Sequence, residues 1–353
     1  MPLIDHLCDN LIENNASDLH LLQGQKPKIR LHGHLKTLED EPVLDKERIT
    51  QMLSEICEPW RWEKFLEHMD ADFAYGLGER GRFRVNYYYQ MHGMGAVLRT
   101  IPTKIQTIEE LKLPDVVTNF AKLRSGLVLM TGPTGSGKST TLAAIIDYIN
   151  THESRYIITI EEPIEFVHPN KKSIFCQREV GKDTHSFADG LKTAARQNAD
   201  VILVGEMRDY ETISLALAAA SMGTLVFGTL HTNSASKTVD RIIDVFPADE
   251  QNKTRTMLAD TLRGVCSQML LRTKNGKGRI AANEILLATQ GLSSNIREGN
   301  NANIRNIIMA GKSNGMQLMD DAIEKYLKSS QIDGEEAYLK ANDKKRFMQY
   351  AKA

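Results

Sequence analysis

The sequence predicts an α/β chain of two parts, an N-terminal α+β domain with an antiparallel sheet and a nucleotide-binding domain with a parallel one. Three observations carry that prediction. Short strand-like segments separated by turn residues fill the first hundred positions. Continuous β-branched apolar runs alternating with helical patterns follow, as in parallel sheets buried on both faces. Where one such run meets a helix, Gly132-Pro133-Thr134-Gly135-Ser136-Gly137-Lys138-Ser139 fits the pattern G-x-x-x-x-G-K-[ST]. At 353 residues the chain also exceeds the roughly 250–300 that one core usually fills.

Taken in order, Leu3, Ile4, Leu7, Leu11 and Ile12 recur at helical spacing. Asn15-Ala16-Ser17 leads into a strand at Asp18–Leu21, a second runs over Lys28–Leu31, and His32-Gly33-His34 makes a turn. Roughly Asp45 to His68 reads as helix, before longer strands at Gly81–Tyr89 and Gly95–Ile101. Residues 1–101 therefore form the first domain. Residues 102–114 read as a linker, because Pro102–Thr107 has no apolar period. The core over 115–290 holds buried strands at Leu127–Met130, Tyr156–Ile160, Val201–Val204 and Leu225–Phe227. From 291 to 353 the pattern is helical, with Met316, Met319, Ile323 and Leu327 on one face.

Composition narrows the function classes. Hydrophobic residues make up 41% and charged ones 25%, ordinary for a globular protein. Forty-four Lys and Arg against forty-five Asp and Glu leave a net charge of −1, and no basic run marks a nucleic-acid footprint. No nucleic-acid partner is expected. Cys8, Cys57, Cys176 and Cys266 are scattered without a C-x-x-C pair, so no zinc site is expected and the thiols should be free in a reducing cytoplasm. The N-terminus lacks a signal-peptide pattern, and no run approaches the ~18 apolar residues of a membrane span, so a cytoplasmic protein is expected.

The chemistry centres on Gly132–Thr140. Glycines let backbone N–H groups converge on phosphate oxygens, and a helix N-terminus adds positive potential. Lys138 would reach the β- and γ-phosphates of ATP, and the Ser139 hydroxyl would ligate Mg²⁺. A Mg-nucleotide site also needs carboxylates at neighbouring strand ends. Val201–Val204 runs into Gly205-Glu206, and Tyr156–Ile160 into Glu161-Glu162-Pro163-Ile164-Glu165. One glutamate would orient or deprotonate the attacking water while another, Glu206 foremost, holds the metal; Glu162 and Glu165 are the candidates beside it. The run Leu225–Phe227 delivers His231 to the same edge, where it would sense the γ-phosphate.

Together these segments resemble the secretion ATPases that drive type IV pili and type II secretion, over nearly the whole chain. Ser17–Leu21 is similar to that family's early N-terminal motif, and Gly81–Asn86 with Leu98-Arg99 to its arginine-bearing strands. Thr159–Glu165 is similar to its acidic box, Val204–Asp209 to its atypical Walker B, and Gly228–Thr232 to its His box. Within the family, Phe246-Pro247-Ala248 and Gly315-Met316-Gln317 look like the PilT-type branch of pilus retraction ATPases. The resemblance implies a homohexamer with nucleotide held between an N-terminal PAS-like domain and a RecA-like domain. It also implies that Arg82, Arg84 and Arg99 neutralise charge on the γ-phosphate, a role that suits a permanently charged, forked guanidinium. The implied partner is an inner-membrane pilus platform protein, met at the cytoplasmic face of that membrane.

Three single positions and one motif depart from the family pattern. Glu161-Glu162-Pro163 stands for Glu-Asp-Pro, Thr224 for a second histidine, and Lys192 for an arginine. The C-terminal retraction motif, commonly Ala-Ile-Arg-Asn-Leu-Ile-Arg-Glu, reads Gly291-Leu292-Ser293-Ser294-Asn295-Ile296-Arg297-Glu298. The expected function is a hexameric ATPase motor for pilus retraction. The alternatives are an assembly or type II secretion ATPase, whose usual extra N-terminal domain and tetracysteine insert are absent from this sequence, and a nucleic-acid translocase.

Overall fold

The structure, a computed structural model, describes residues 2–31 and 33–351. His32, the first residue of the expected turn, lies outside them, while Gly33 turns the chain with φ +88°. The chain forms two compact units. One comprises Met1–Lys104 with Glu162–Val167, and the other Ile105–Glu161 with His168–Ala353.

The first unit is α+β. Helix α1 (Asp5–Glu13) buries Leu7, Cys8 and Leu11, the stripe its spacing predicts. Strands β1 (Asp18–Leu22), β2 (Lys28–Leu31) and β3 (His34–Thr37) follow, then α2 (Lys46–Glu55) and α3 (Pro59–His68). The single helix expected over 45–68 is thus two. Asp45 caps the first by accepting from Arg48 N at 2.8 Å, and Pro59 has no N–H to continue a helix and holds Glu58 extended. Strands β4 (Asp70–Gly76), β5 (Arg82–Gln90) and β6 (Gly93–Ile101) complete a six-stranded antiparallel sheet of order β3-β2-β1-β6-β5-β4. Neither β3 nor β4 announces itself in the sequence. The side chains of β3 are almost all exposed and those of β4 bury only Phe73, so neither shows an apolar alternation. Leu19, Leu21, Phe83, Val85 and Leu98 form the core, with Phe65 and Phe73 set edge-on against Tyr87.

The second unit is α/β. Its elements are α4 (Val116–Lys122), β7 (Gly126–Thr131), α5 (Lys138–His152), β8 (Tyr156–Glu161), β9 (Ile174–Glu179), α6 (Phe187–Arg196), β10 (Val201–Val204), α7 (Tyr210–Ser221), β11 (Leu225–Leu230), α8 (Ala235–Asp244) and α9 (Gln251–Thr261). A hairpin of β12 (Leu262–Arg272) and β13 (Arg279–Leu287) comes next, then α10 (Gln290–Glu298), α11 (Ile304–Ala310), α12 (Met319–Lys328) and α13 (Gly334–Lys340). The seven-stranded sheet has the order β13-β12-β7-β11-β10-β8-β9, parallel except for the β12–β13 pair. Every residue of β7, β10 and β11 is buried, because helices cover both faces.

Residues of the C-terminal helical region contribute to the cores of this unit. Leu292, Ile296, Ile304, Ile308 and Met316 join the cluster built on β7 and β10. Met319 and Ile323, with Leu327 beside them, pack instead against Leu271 and Ile280 of the hairpin. The expected four-residue stripe is therefore split, since α12 starts only at Met319 and Met316 lies on the preceding segment. Cys8, Cys57 and Cys266 are buried free thiols, and burial pushes Cys8 and Cys266 up to about 12. Among the described residues no helix is long and apolar enough to cross a membrane.

Candidate nucleotide site

The loop after β7 is shaped by its glycines. Gly132 has φ +142°, and a Cβ there would lie 2.1 Å from the backbone oxygen of Gln268. Gly135 (φ +76°) and Gly137 (φ +84°) are also in the region that disfavours side chains. Gly137 is the N-cap of α5 and no side chain caps its first turn, which leaves that end of the helix able to receive an anion. Lys138 Nζ donates to the carbonyls of Gly132 at 2.8 Å and Pro133 at 3.1 Å, so its charge is held over the loop. The Ser136 hydroxyl is buried without a hydrogen-bond partner, whereas Pro133, Thr134, Gly135 and Ser139 are exposed and Thr140 half-buried. An uncapped helix start, a tethered ammonium and an orphan hydroxyl fit a polyphosphate. Beside Gly137 and Thr140 opens a cavity of about 890 Å³, large enough for a nucleoside, where Leu111, Leu270 and Ile280 stand among polar residues such as Lys112, Gln268 and Arg279.

Strands β7, β11, β10 and β8 are adjacent and parallel, so the loops at their C-terminal ends share one edge. That edge carries the phosphate-type loop, His231, Glu206 and Glu161 in turn. Glu206 is half-buried and accepts from Arg208 Nη2 at 2.6 Å, and His231 Nε2 lies 3.0 Å from its carboxylate. Burial pushes the Glu206 carboxyl up, but Arg208 and His231 more than offset this and hold it below the usual carboxylate range. The surrounding turns brace one another. Met207 N donates to Thr229 O at 3.0 Å, the Thr229 hydroxyl donates to Gly205 O, and a Cβ on Gly228 would meet Met207 Sδ at 2.1 Å.

The remaining predicted residues lie in the first unit. Arg84 binds Asp72 (Nη2–Oδ2 2.5 Å) and faces Glu165 at 3.6 Å, and these carboxylates hold its guanidinium above its usual range against burial. Arg82 Nε donates to Ile164 O at 3.0 Å. Arg82, Arg84, Glu162 and Glu165 thus gather around the 162–167 segment. Arg99 stands directly opposite Arg84 on the neighbouring strand β6 and is paired with Asp18 at 2.8 Å.

Sequence reasoning missed the partners that hold the carboxylates. Arg208 stood two positions from Glu206 in the same motif and could have been found as its counter-charge. Thr159 and Gln177 both donate to Glu161 Oε1, at 2.6 and 3.2 Å. Gln177 comes from β9, and only the strand register, Thr159 opposite Gln177, places it there. At the departures from the family pattern, Lys192 pairs with Glu211 at 2.5 Å, and Ser293 donates to Ala259 O at 2.9 Å on α9. Arg297, on α10 with Ser293, pairs with Asp260 of α9 at 2.5 Å.

Comparison with known proteins places this arrangement among relatives. The type II/IV secretion system protein family matches residues 1–309. The type IV pilus retraction ATPase PilT of Pseudomonas aeruginosa is 46% identical over 335 residues, which are 95% of this chain and 97% of that protein. A twitching motility protein of Neisseria gonorrhoeae is 46% identical over 317 residues, 90% of this chain and 84% of that one. The crystal structure of the pilus retraction motor PilT with bound ADP matches with a TM-score of 0.90 at 42% identity, covering 99% of both chains. The ATPase DotB of Legionella pneumophila matches at 0.83 and 29% identity, over 95% of this chain and 94% of that one.

Proposed function

The chain belongs to the type II/IV secretion system protein family, and on that premise we propose that it is a homohexameric ATPase motor that drives type IV pilus retraction. The observation that carries the ATPase reading is the shared sheet edge, where four adjacent parallel strands deliver Gly132–Thr140, His231, Glu206 and Glu161. The retraction reading is supported by likeness along nearly the full length to a pilus retraction ATPase and a twitching motility protein.

In this reading the loop amides and Lys138 bind the phosphates, and the cavity beside Gly137 takes the nucleoside. Ser139 and Glu206 would hold Mg²⁺, which supplies charge neutralisation at the phosphates when bound. Glu206 is kept ionised by Arg208 and His231, so it is ready to orient a water molecule or the metal's ligands. His231, bonded to Glu206, reports the state of the γ-phosphate to the next loop. Glu165, or Glu162, takes the proton of the attacking water, and Arg82, Arg84 and Arg99 stabilise negative charge in the transition state. The motor works at the cytoplasmic face of the inner membrane on a pilus platform protein. Deleting the gene tests this: loss of a retraction motor leaves cells hyperpiliated and unable to twitch, whereas bald cells would mean that the motor builds filaments.

A further inference from the structure

We propose that Gln268, on β12 and outside every motif of the nucleotide site, is a positioning residue that sets the geometry of the phosphate-binding loop. The inference deepens the ATPase reading and rests on it. Strand β12 runs parallel to β7 with Cys266 opposite Met130 and Ser267 opposite Thr131, so the next residue, Gln268, stands level with the start of the loop. Side chains alternate along a strand. Ser267 bonds the Thr131 hydroxyl at 2.7 Å, and Gln268 is directed to the opposite face, where α5 packs.

There the Gln268 amide is 2% exposed and bonded on both ends. Its Nε2 donates to Ser136 O at 2.7 Å. Its Oε1 accepts from the Thr141 hydroxyl and from Asn283 Nδ2, both at 2.9 Å. Two donors on one end and a carbonyl on the other leave the amide a single orientation. A peptide unit is planar and trans, so its C=O and the following N–H point in opposite directions. Anchoring Ser136 O on Gln268 therefore aims the Gly137 N–H away from β12. The same residue also accounts for two of the glycines. Its backbone oxygen lies 2.1 Å from a Cβ built on Gly132, and its Nε2 lies 3.0 Å from one built on Gly137. A buried amide bonded at both ends at this place is a template against which the loop is moulded.

The test uses the full chain and a fluorescent ADP analogue with Mg²⁺, reading Kd, KM, kcat and thermal midpoint. Gln268→Met fills the space without hydrogen bonds. Gln268→Glu keeps the shape but sets an acceptor against Ser136 O, and Thr141→Val removes a single donor. The Met and Glu variants are expected to weaken binding and raise KM by about ten-fold, the scale of one lost hydrogen bond, and Thr141→Val by less. Val265→Ala, a core substitution on the same strand, serves as the stability control and should lower the midpoint with Kd unchanged. Binding by Gln268→Met within about two-fold of the unmodified protein would overturn the proposal. So would an equal loss of affinity in Val265→Ala at a matched loss of midpoint. Should one Gln268 variant fail to fold, Thr141→Val decides, and unchanged affinity there counts against the proposal. Lys138→Ala separates the two layers: if it too binds normally, the loop is not the nucleotide site, whereas its loss of binding beside a normal Gln268→Met overturns this inference alone.

Discussion

At the scale of single residues, the candidate site holds its charged groups on polar partners. Glu206 is held below the usual carboxylate range by a guanidinium and an imidazole, and Lys138 is anchored on two carbonyls. Such preorganised charges cost no reorganisation when chemistry begins, and losing one typically slows catalysis by about 10²–10³-fold. Glu206→Gln keeps the shape and removes the charge. It is expected to bind Mg-ATP with little change and to hydrolyse it about 10²-fold more slowly, measured as phosphate release against nucleotide affinity. Near-normal turnover would move the role to Glu161, Glu162 or Glu165.

At the scale of elements, the strand-end turns are locked by close packing, which leaves them sensitive to single atoms. Gly228→Ala would drive a methyl into Met207 Sδ and push the 205–207 turn, with Glu206, out of place. Overpacking of this kind costs roughly 1–3 kcal/mol, and we expect a drop in kcat larger than the loss of stability explains. Gly228→Ala combined with Met207→Ala should recover part of the kcat, since the shortened side chain vacates the space. His168 supplies a pH test. It is buried, stacked on Phe175 with ring centroids 4.6 Å apart, and burial lowers its pKa from 6.5 to about 4. Between those values the unfolded chain binds a proton that the folded one refuses, so stability must fall as pH drops from 6.5 toward 4. His168→Phe keeps the stack and lacks the titration. Its thermal midpoint should decline less over that interval, and parallel declines in both proteins would refute the assignment.

At the scale of the whole molecule, the chain divides its predicted chemistry between two units, with phosphate-binding and metal-binding groups in one and arginines in the other. A charge carried on a separate unit is a means of linking nucleotide state to shape. Arg82→Ala, Arg84→Ala and Arg99→Ala are expected to leave a hexamer by light scattering and to lower kcat in at least one case by 10-fold or more, the scale of a transition-state charge contact. A fully active monomer, or three variants with unchanged kcat, would contradict the motor reading. Arg84 is the variant to watch. Its carboxylate partners Asp72 and Glu165 are already engaged with it, so its removal also frees Glu165.

What the sequence by itself determined was local. Glycines at positions 132, 135 and 137 encode a backbone that other residues resist, and β-branched runs encode strands wherever both faces are covered, so the loop, its flanking elements and the four central strands were legible. The break between Glu58 and Pro59 was written in a single residue and was masked by helical spacing on either side. The strands β3, β4 and β9, and the β12–β13 hairpin, were not read, since mixed exposure or continuous burial blurs their period. Only the tertiary structure decided which distant residues meet: His231 on Glu206 across neighbouring strands, and Gln268 beneath Ser136 from 132 positions away. Strand order and register make those contacts, and neither is contained in the periodicity of any one segment.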